Sequence, residues 1–237
     1  MEKVSNPFQA CSDIFFKPNR VFATLADTHN WSWVAFIIVV VMGVLPSYLY
    51  FNLVDFDWYR ELLVQANLGD VSPSEQNQMR NSITKDATLT FSLVAGIIGV
   101  IIVNSVLALY LNLVTKSDEE NVNGFTDWYG FTWWVGLPVV VNSLLALMLL
   151  LFAQDQQISP SYIVPTSLAF ILGLDMQNDW FGLCSAIRLD AIWSIYLIAV
   201  GICQWTNFSK NKAFMVAALP YSVIWGVWFM LSLGSNG

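Results

Sequence analysis

Three uncharged apolar runs constrain this chain more than any other feature: WVAFIIVVVMGVLPSYLYFNLV from Trp33, LTFSLVAGIIGVIIVNSVLALYLNLV from Leu89 and FTWWVGLPVVVNSLLALMLLLF from Phe131. Each supplies the roughly 20 apolar residues that cross a hydrocarbon core. Lipid offers no water to the backbone, so each run must satisfy its own N–H and C=O groups, as a helix does. The balance of the 237 residues agrees, with 56% hydrophobic and only 11% charged, more apolar than a water-soluble domain of this size requires. The expected fold is all-α, a polytopic transmembrane helix bundle of five spans with short interfacial helices.

The spans are expected near residues 31–53, 88–114, 131–152, 189–206 and 213–233, after a cytosolic or interfacial segment over 1–30. Trp31, Trp33, Tyr48 and Tyr50 flank the first span as an interfacial aromatic belt does. Over residues 10–25, helical spacing puts Phe15, Phe22 and Leu25 near one face, which predicts a helix in the headgroup plane that Pro18 breaks or starts; the alternative is a loop that folds against the transmembrane bundle. Between the first two spans, Trp58 to Val64 predict a short helix. A turn through Gly69 and Pro73 follows, and a further helix begins near Ser74, where SPSEQ reads as a helix start. The stretch IVPTSLAFILGL from Ile163 is shorter: about 12 helical residues reach about 18 Å, less than the hydrocarbon core needs. An interfacial or re-entrant helix is expected over 163–173. The polar, proline-broken N-terminus is not expected to be a cleavable signal peptide, which leaves the first span as the insertion signal.

Ten Lys and Arg face seventeen Asp and Glu. The excess acid lies in the connections, in DFDWYRE from Asp55 and SDEE from Ser117, and reads as solvated loops. This balance excludes a nucleic-acid surface and a polybasic lipid patch. With the N-terminus inside, Lys3, Lys17, Arg20, Lys116, Lys210 and Lys212 lie inside and Arg60, Arg80, Lys85 and Arg188 outside, which favours that orientation. Cys11, Cys184 and Cys203 are too scattered for a metal cluster or a CxxC pair, and the single His29 reads as a surface residue. Neither a metal nor a cofactor is expected. No HExxH, GxSxG or phosphate-cradling glycine loop is present, so the chain is not expected to be an enzyme.

Polar residues inside the spans are the candidate contacts. Asn104 and Ser105 fall within the second span and Asn142 and Ser143 within the third, in the echoing segments VNSVLAL and VNSLLAL, while Gln204 and Asn207 close the fourth. They either bond helix to helix, at about 0.6 kcal/mol each, or line a hydrated path. Asp190 is expected to turn inward and anchor the fourth span to another helix. Arg188 is two residues away, which on a helix is not a facing position, so the two need not pair with each other and can simply mark the membrane boundary. Pro46, Pro138 and Pro220 are expected to bend three spans. Ala95 with Gly99, Gly96 beside them, and Gly201 offer room for close helix contact.

The segments NPFQACSDIFFKPNRVFATL, NGFTDWYGFTWWVGLPVVVNSLL and RLDAIWSIYLIAVGICQWTNFSKNKAFMVAALPYSVIW together resemble the YIP1 family of multi-span membrane proteins. In the last of them Asp190, Trp193, Gly201, Lys212 and Ala213 carry the family's spacing. The resemblance implies five transmembrane helices, a cytosolic N-terminus and a C-terminus on the other side. For eukaryotic relatives it implies Golgi and endoplasmic reticulum membranes, prenylated Rab-type small GTPases and vesicle traffic. This chain lacks their long Pro- and Gln-rich leader and looks like the compact bacterial members. The expected location is therefore a bacterial inner (plasma) membrane with a periplasmic C-terminus. The expected role is to organise membrane lipids, or a membrane-protein partner or homo-oligomer, in the bilayer. The alternative is a small transporter or channel with a polar path between helices.

Overall fold

A computed structural model describes residues 4–28, 30–68 and 71–234. The expectations for His29, Gly69 and Lys3 lie outside the described residues. Across the described residues the chain is helical, with one isolated antiparallel bridge, Ser167 to Arg188, and no β-strand.

Helices α1 (Pro7–Phe16) and α2 (Pro18–Leu25) each begin with proline at the first position, where its missing N–H costs nothing. Asn6 caps α1 by accepting from the Gln9 N–H. Ala10, Ile14, Val21 and Phe22 are fully buried, and Phe15 meets Trp193 edge-on at 5.4 Å. The segment thus folds onto the bundle with its apolar stripe inward. Helix α3 (Ser32–Leu53) runs unbroken through Pro46. Next come α4 (Phe56–Leu68) and α5 (Pro73–Ser82). In α5, Ser72 and Glu75 form a reciprocal capping box around Pro73, the start signal read from SPSEQ.

Helix α6 (Lys85–Thr115) is the longest, at 31 residues. The third apolar run becomes α7 (Phe125–Val135) and α8 (Val139–Leu151), joined by a tightened turn at 136–138. Helix α7 begins six residues before the span expected at 131, because Gly124 and Asp127 cap it there. The expected helix over 163–173 is not formed. A 3-10 turn, Pro160–Ile163, leads into extended chain, and only α9 (Leu168–Ile171) is helical. The cause is pairing: the Leu168 N–H donates to Ile187 O and the Leu189 N–H to Thr166 O, both at 3.0 Å, which holds the chain extended up to Ser167, the N-cap of α9.

After α10 (Phe181–Ala186) come α11 (Leu189–Trp205) and α12 (Lys210–Gly234). Among the described residues, four helical stretches are long and apolar enough to cross a membrane: α3, α6, α7 with α8, and α12. Helix α11, at 17 residues, reaches about 25 Å. The core lies where α2, α7 and α11 meet, around Phe22, Trp128, Phe131, Trp134, Leu197 and Ile198. Gly201 belongs to this packing. A Cβ there would overlap the Phe131 ring, which fills the space between Phe22 and Trp205. The Ala95 and Gly99 pair is different: Ala95 is exposed and a Cβ at Gly99 would meet nothing, while Gly96 alone approaches α3, at Val44. A smaller cluster of Tyr50, Phe51, Val54, Leu150 and Ile158 closes the opposite end.

Candidate functional site

The proline residues organise the middle of the bundle. A proline inside a helix cannot donate to the carbonyl four residues earlier, so Pro46 frees Met42 O and Pro220 frees Val216 O. Each freed carbonyl accepts from a hydroxyl on another helix. Ser143 Oγ of α8 donates to Met42 O at 2.6 Å, and Tyr110 Oη of α6 donates to Val216 O at 2.9 Å. Both spans are therefore repaired by neighbours, as lipid requires. Pro138 is resolved locally, through i to i+3 bonds such as Val139 N–H to Gly136 O.

A buried polar cluster sits at the start of α11. Asp190 is 8% exposed, and its carboxylate accepts from Arg188 Nε at 3.0 Å and Nη2 at 2.6 Å. Helical spacing leaves the pairing of these two residues open, and they do pair. Arg188 is not helical; it caps α11 in an extended conformation, φ −127° and ψ 142°, so helical spacing does not govern its direction. The fork geometry is the strong form of the ion pair. Thr166 Oγ1 lies 2.5 Å from Asp190 Oδ1 and 2.7 Å from Asn142 Oδ1. Its single proton serves one of the two oxygens at a time. The Asn142 amide also accepts from the Thr166 N–H and donates to Ile163 O. Asp190 thus reaches α8 through Thr166. The arrangement pairs a buried charge and gives the buried Asn142 amide both donor and acceptor partners.

The other polar residues go elsewhere. Asn104 Nδ2 donates to Val100 O and Ser105 Oγ to Ile101 O, both within α6. The echoing segments therefore behave differently, local in α6 and cross-linking in α8. Gln204 Nε2 donates to Asn19 Oδ1 of α2 at the far end of α11. Asn207 lies in the turn to α12, where its backbone N–H donates to Asp118 and its side chain to Glu120, each at 2.7 Å. Two carboxylates of the acidic loop are thereby tied down rather than merely solvated. Among the described residues no three His, Cys, Asp or Glu side chains are grouped to hold a metal ion.

Near this end lies a cavity of about 640 Å³, within the usual range for small-molecule sites. Its walls are α3 and α7, with Ile101 of α6, the end of α2 at Leu25 and Trp205 of α11 completing the lining. Trp33, Phe36, Trp133 and Tyr129 touch in sequence by edge-to-face contacts of 5.4, 4.7 and 5.6 Å. Gly130 permits the close approach, since a Cβ there would lie 2.8 Å from Ser32 Oγ, the acceptor for Trp134 Nε1. Neither Asn104 nor Asn142 is among its lining residues. This cavity was not read from the sequence, although the aromatic density of FTDWYGFTWW was its signal.

A family model described as the Yip1 domain matches residues 12–233, nearly the whole chain. Comparison with curated proteins and with solved structures returned no match.

Proposed function

The chain belongs to the Yip1 family and is an integral membrane protein, and from that premise we propose that it is a non-enzymatic organiser of lipid or protein partners in the bilayer. Its seat is a bacterial inner membrane, with the N-terminus cytoplasmic and the C-terminus periplasmic, the side favoured by the Lys and Arg distribution. The observation that supports this role is how the polar groups within the spans are used. Asn142, Ser143, Asp190 and Tyr110 bond to other parts of the protein, and Asn104 and Ser105 bond to their own helix. A transport path would need Asn104 and Asn142 to face a shared hydrated space; their engaged amides support organisation instead.

The test is reconstitution into proteoliposomes loaded with a panel of ions and small solutes, alongside native mass spectrometry of the protein taken from native-lipid discs. Retained lipid or a co-purifying membrane protein, with no protein-dependent flux, is the expected result. Flux that disappears in a folded N142L variant would replace this reading with transport.

A further inference from the structure

The cavity between α3 and α7 has a direction. Its polar lining, Thr28, Asn30, Asn123, Thr126 and Asp127, comes from loops and helix starts at one end of the bundle. Deeper, Phe36, Ile101, Trp133 and Trp134 make it aromatic and apolar. A space polar at its mouth and apolar at its base matches an amphiphile, a head joined to a tail.

The charge of the head follows from the mouth. Among the described lining residues, Asp127 is the only charged side chain. Its Oδ2 accepts from the Gly124 N–H at 2.8 Å, while Oδ1 has no partner among the described residues, and the side chain is exposed. Beside it runs the edge-to-face series from Trp33 to Tyr129, whose π faces attract cations. No described Lys or Arg lines the cavity to receive an anion. We infer that this cavity binds an amphiphile with an ammonium head, the cation between Asp127 and the aromatic wall and the chain against Phe36 and Ile101. The inference rests on the organising role proposed above and names the lipid class involved.

The full-length protein in maltoside micelles is titrated with lysophosphatidylethanolamine, dodecylamine and lysophosphatidylglycerol, read by tryptophan emission and by native mass spectrometry. The ammonium-headed probes should bind about tenfold more tightly than the glycerol-headed one. The D127N variant should lose that preference. Asn accepts the Gly124 N–H as Asp does, so α7 keeps its cap, and an unchanged circular dichroism spectrum verifies this. The W33L variant, at a position 65% exposed, should weaken ammonium binding about threefold. Tighter binding of the phospholipid than of the amine assigns the ligand to a membrane headgroup, and the reverse assigns it to a free long-chain amine; either supports the class. Equal affinity for all three probes, or a preference surviving in D127N, overturns the inference. In that case retained native lipid without flux would leave the organising role standing.

Discussion

Replacing Ser143 by alanine should leave Met42 O, the carbonyl freed by Pro46, without its 2.6 Å donor. Ser143 is fully buried, so no water takes its place. An unsatisfied buried acceptor costs about 1–3 kcal/mol, while hydrogen bonds between membrane helices average about 0.6 and reach about 1.7 kcal/mol. The Ser143 proton is also shared with Val139 O, which places the expected loss near the middle, at about 1 kcal/mol. The Pro46→Ala background separates the cause. Alanine at that position restores a backbone N–H that serves Met42 O from within α3, so S143A in that background should cost markedly less. A double-mutant cycle measured by detergent-driven unfolding in mixed micelles, followed by emission of the 11 tryptophans, should give a coupling of at least about 0.6 kcal/mol. Strict additivity of S143A and P46A would refute the repair argument.

The same cycle for Y110F and P220A should show coupling of the same sign but nearer about 0.6 kcal/mol, because Tyr110 is only partly buried. D190N removes the charge opposite Arg188 and should destabilise by about 2 kcal/mol, below the full cost of breaking a buried pair because the Arg188 side chain is 28% exposed; unchanged unfolding would refute this. Arg80 of α5 holds the Glu61 carboxyl of α4 below its ordinary range, through hydrogen bonds at 2.8 and 3.0 Å. A depressed carboxylate stabilises above its unfolded value and loses that contribution as pH falls through its folded value. Amide protection factors in α4 and α5, taken relative to the intrinsic exchange rate at each pH, should therefore fall as pH drops below the ordinary glutamate range, and R80M should abolish that dependence. Burial pushes the Cys11 thiol up to about 11, so maleimide labelling of Cys11 in a C184S/C203S variant should be slow at neutral pH and accelerate in alkali.

Apolar run length made the membrane helices legible, since a continuous run of about 20 apolar residues matches a helix that satisfies its own backbone groups in lipid. Local chemistry made α5 legible as well, through Ser72, Pro73 and Glu75. Contacts that cross the chain were not. Pro46 and Pro220 name the carbonyls they free by the i−4 rule, but the donors Ser143 and Tyr110 lie 101 and 106 residues away from those acceptors. The Arg188 and Asp190 pair escaped for a local reason. Helical spacing does not govern Arg188, which an extended bridge with Ser167 holds one residue outside α11. The two VNSxLAL echoes show the same limit, because identical asparagines found different neighbours.

The two ends of the bundle close by different means, and that difference separates stability from recognition. At the start of α11 each charged or amide group meets a complement: Asp190 meets Arg188 and Thr166, and Asn142 meets Thr166 and Ile163. Nearby, Tyr50 Oη donates to Ile158 O at 2.8 Å and closes the base of the loop over 152–158. A partner arriving there would have to break existing bonds. At the other end the Asp118 and Glu120 loop is tied to Asn207, but Asp127 Oδ1 has no partner among the described residues and the Trp33 ring is exposed beside an open cavity. Substitutions at Asp190 should therefore lower stability and leave lipid preference unchanged, and substitutions at Asp127 should do the reverse. Unfolding and lipid retention measured on D190N and D127N together test that division, and a shift of lipid preference in D190N at full occupancy would show that the two ends are coupled.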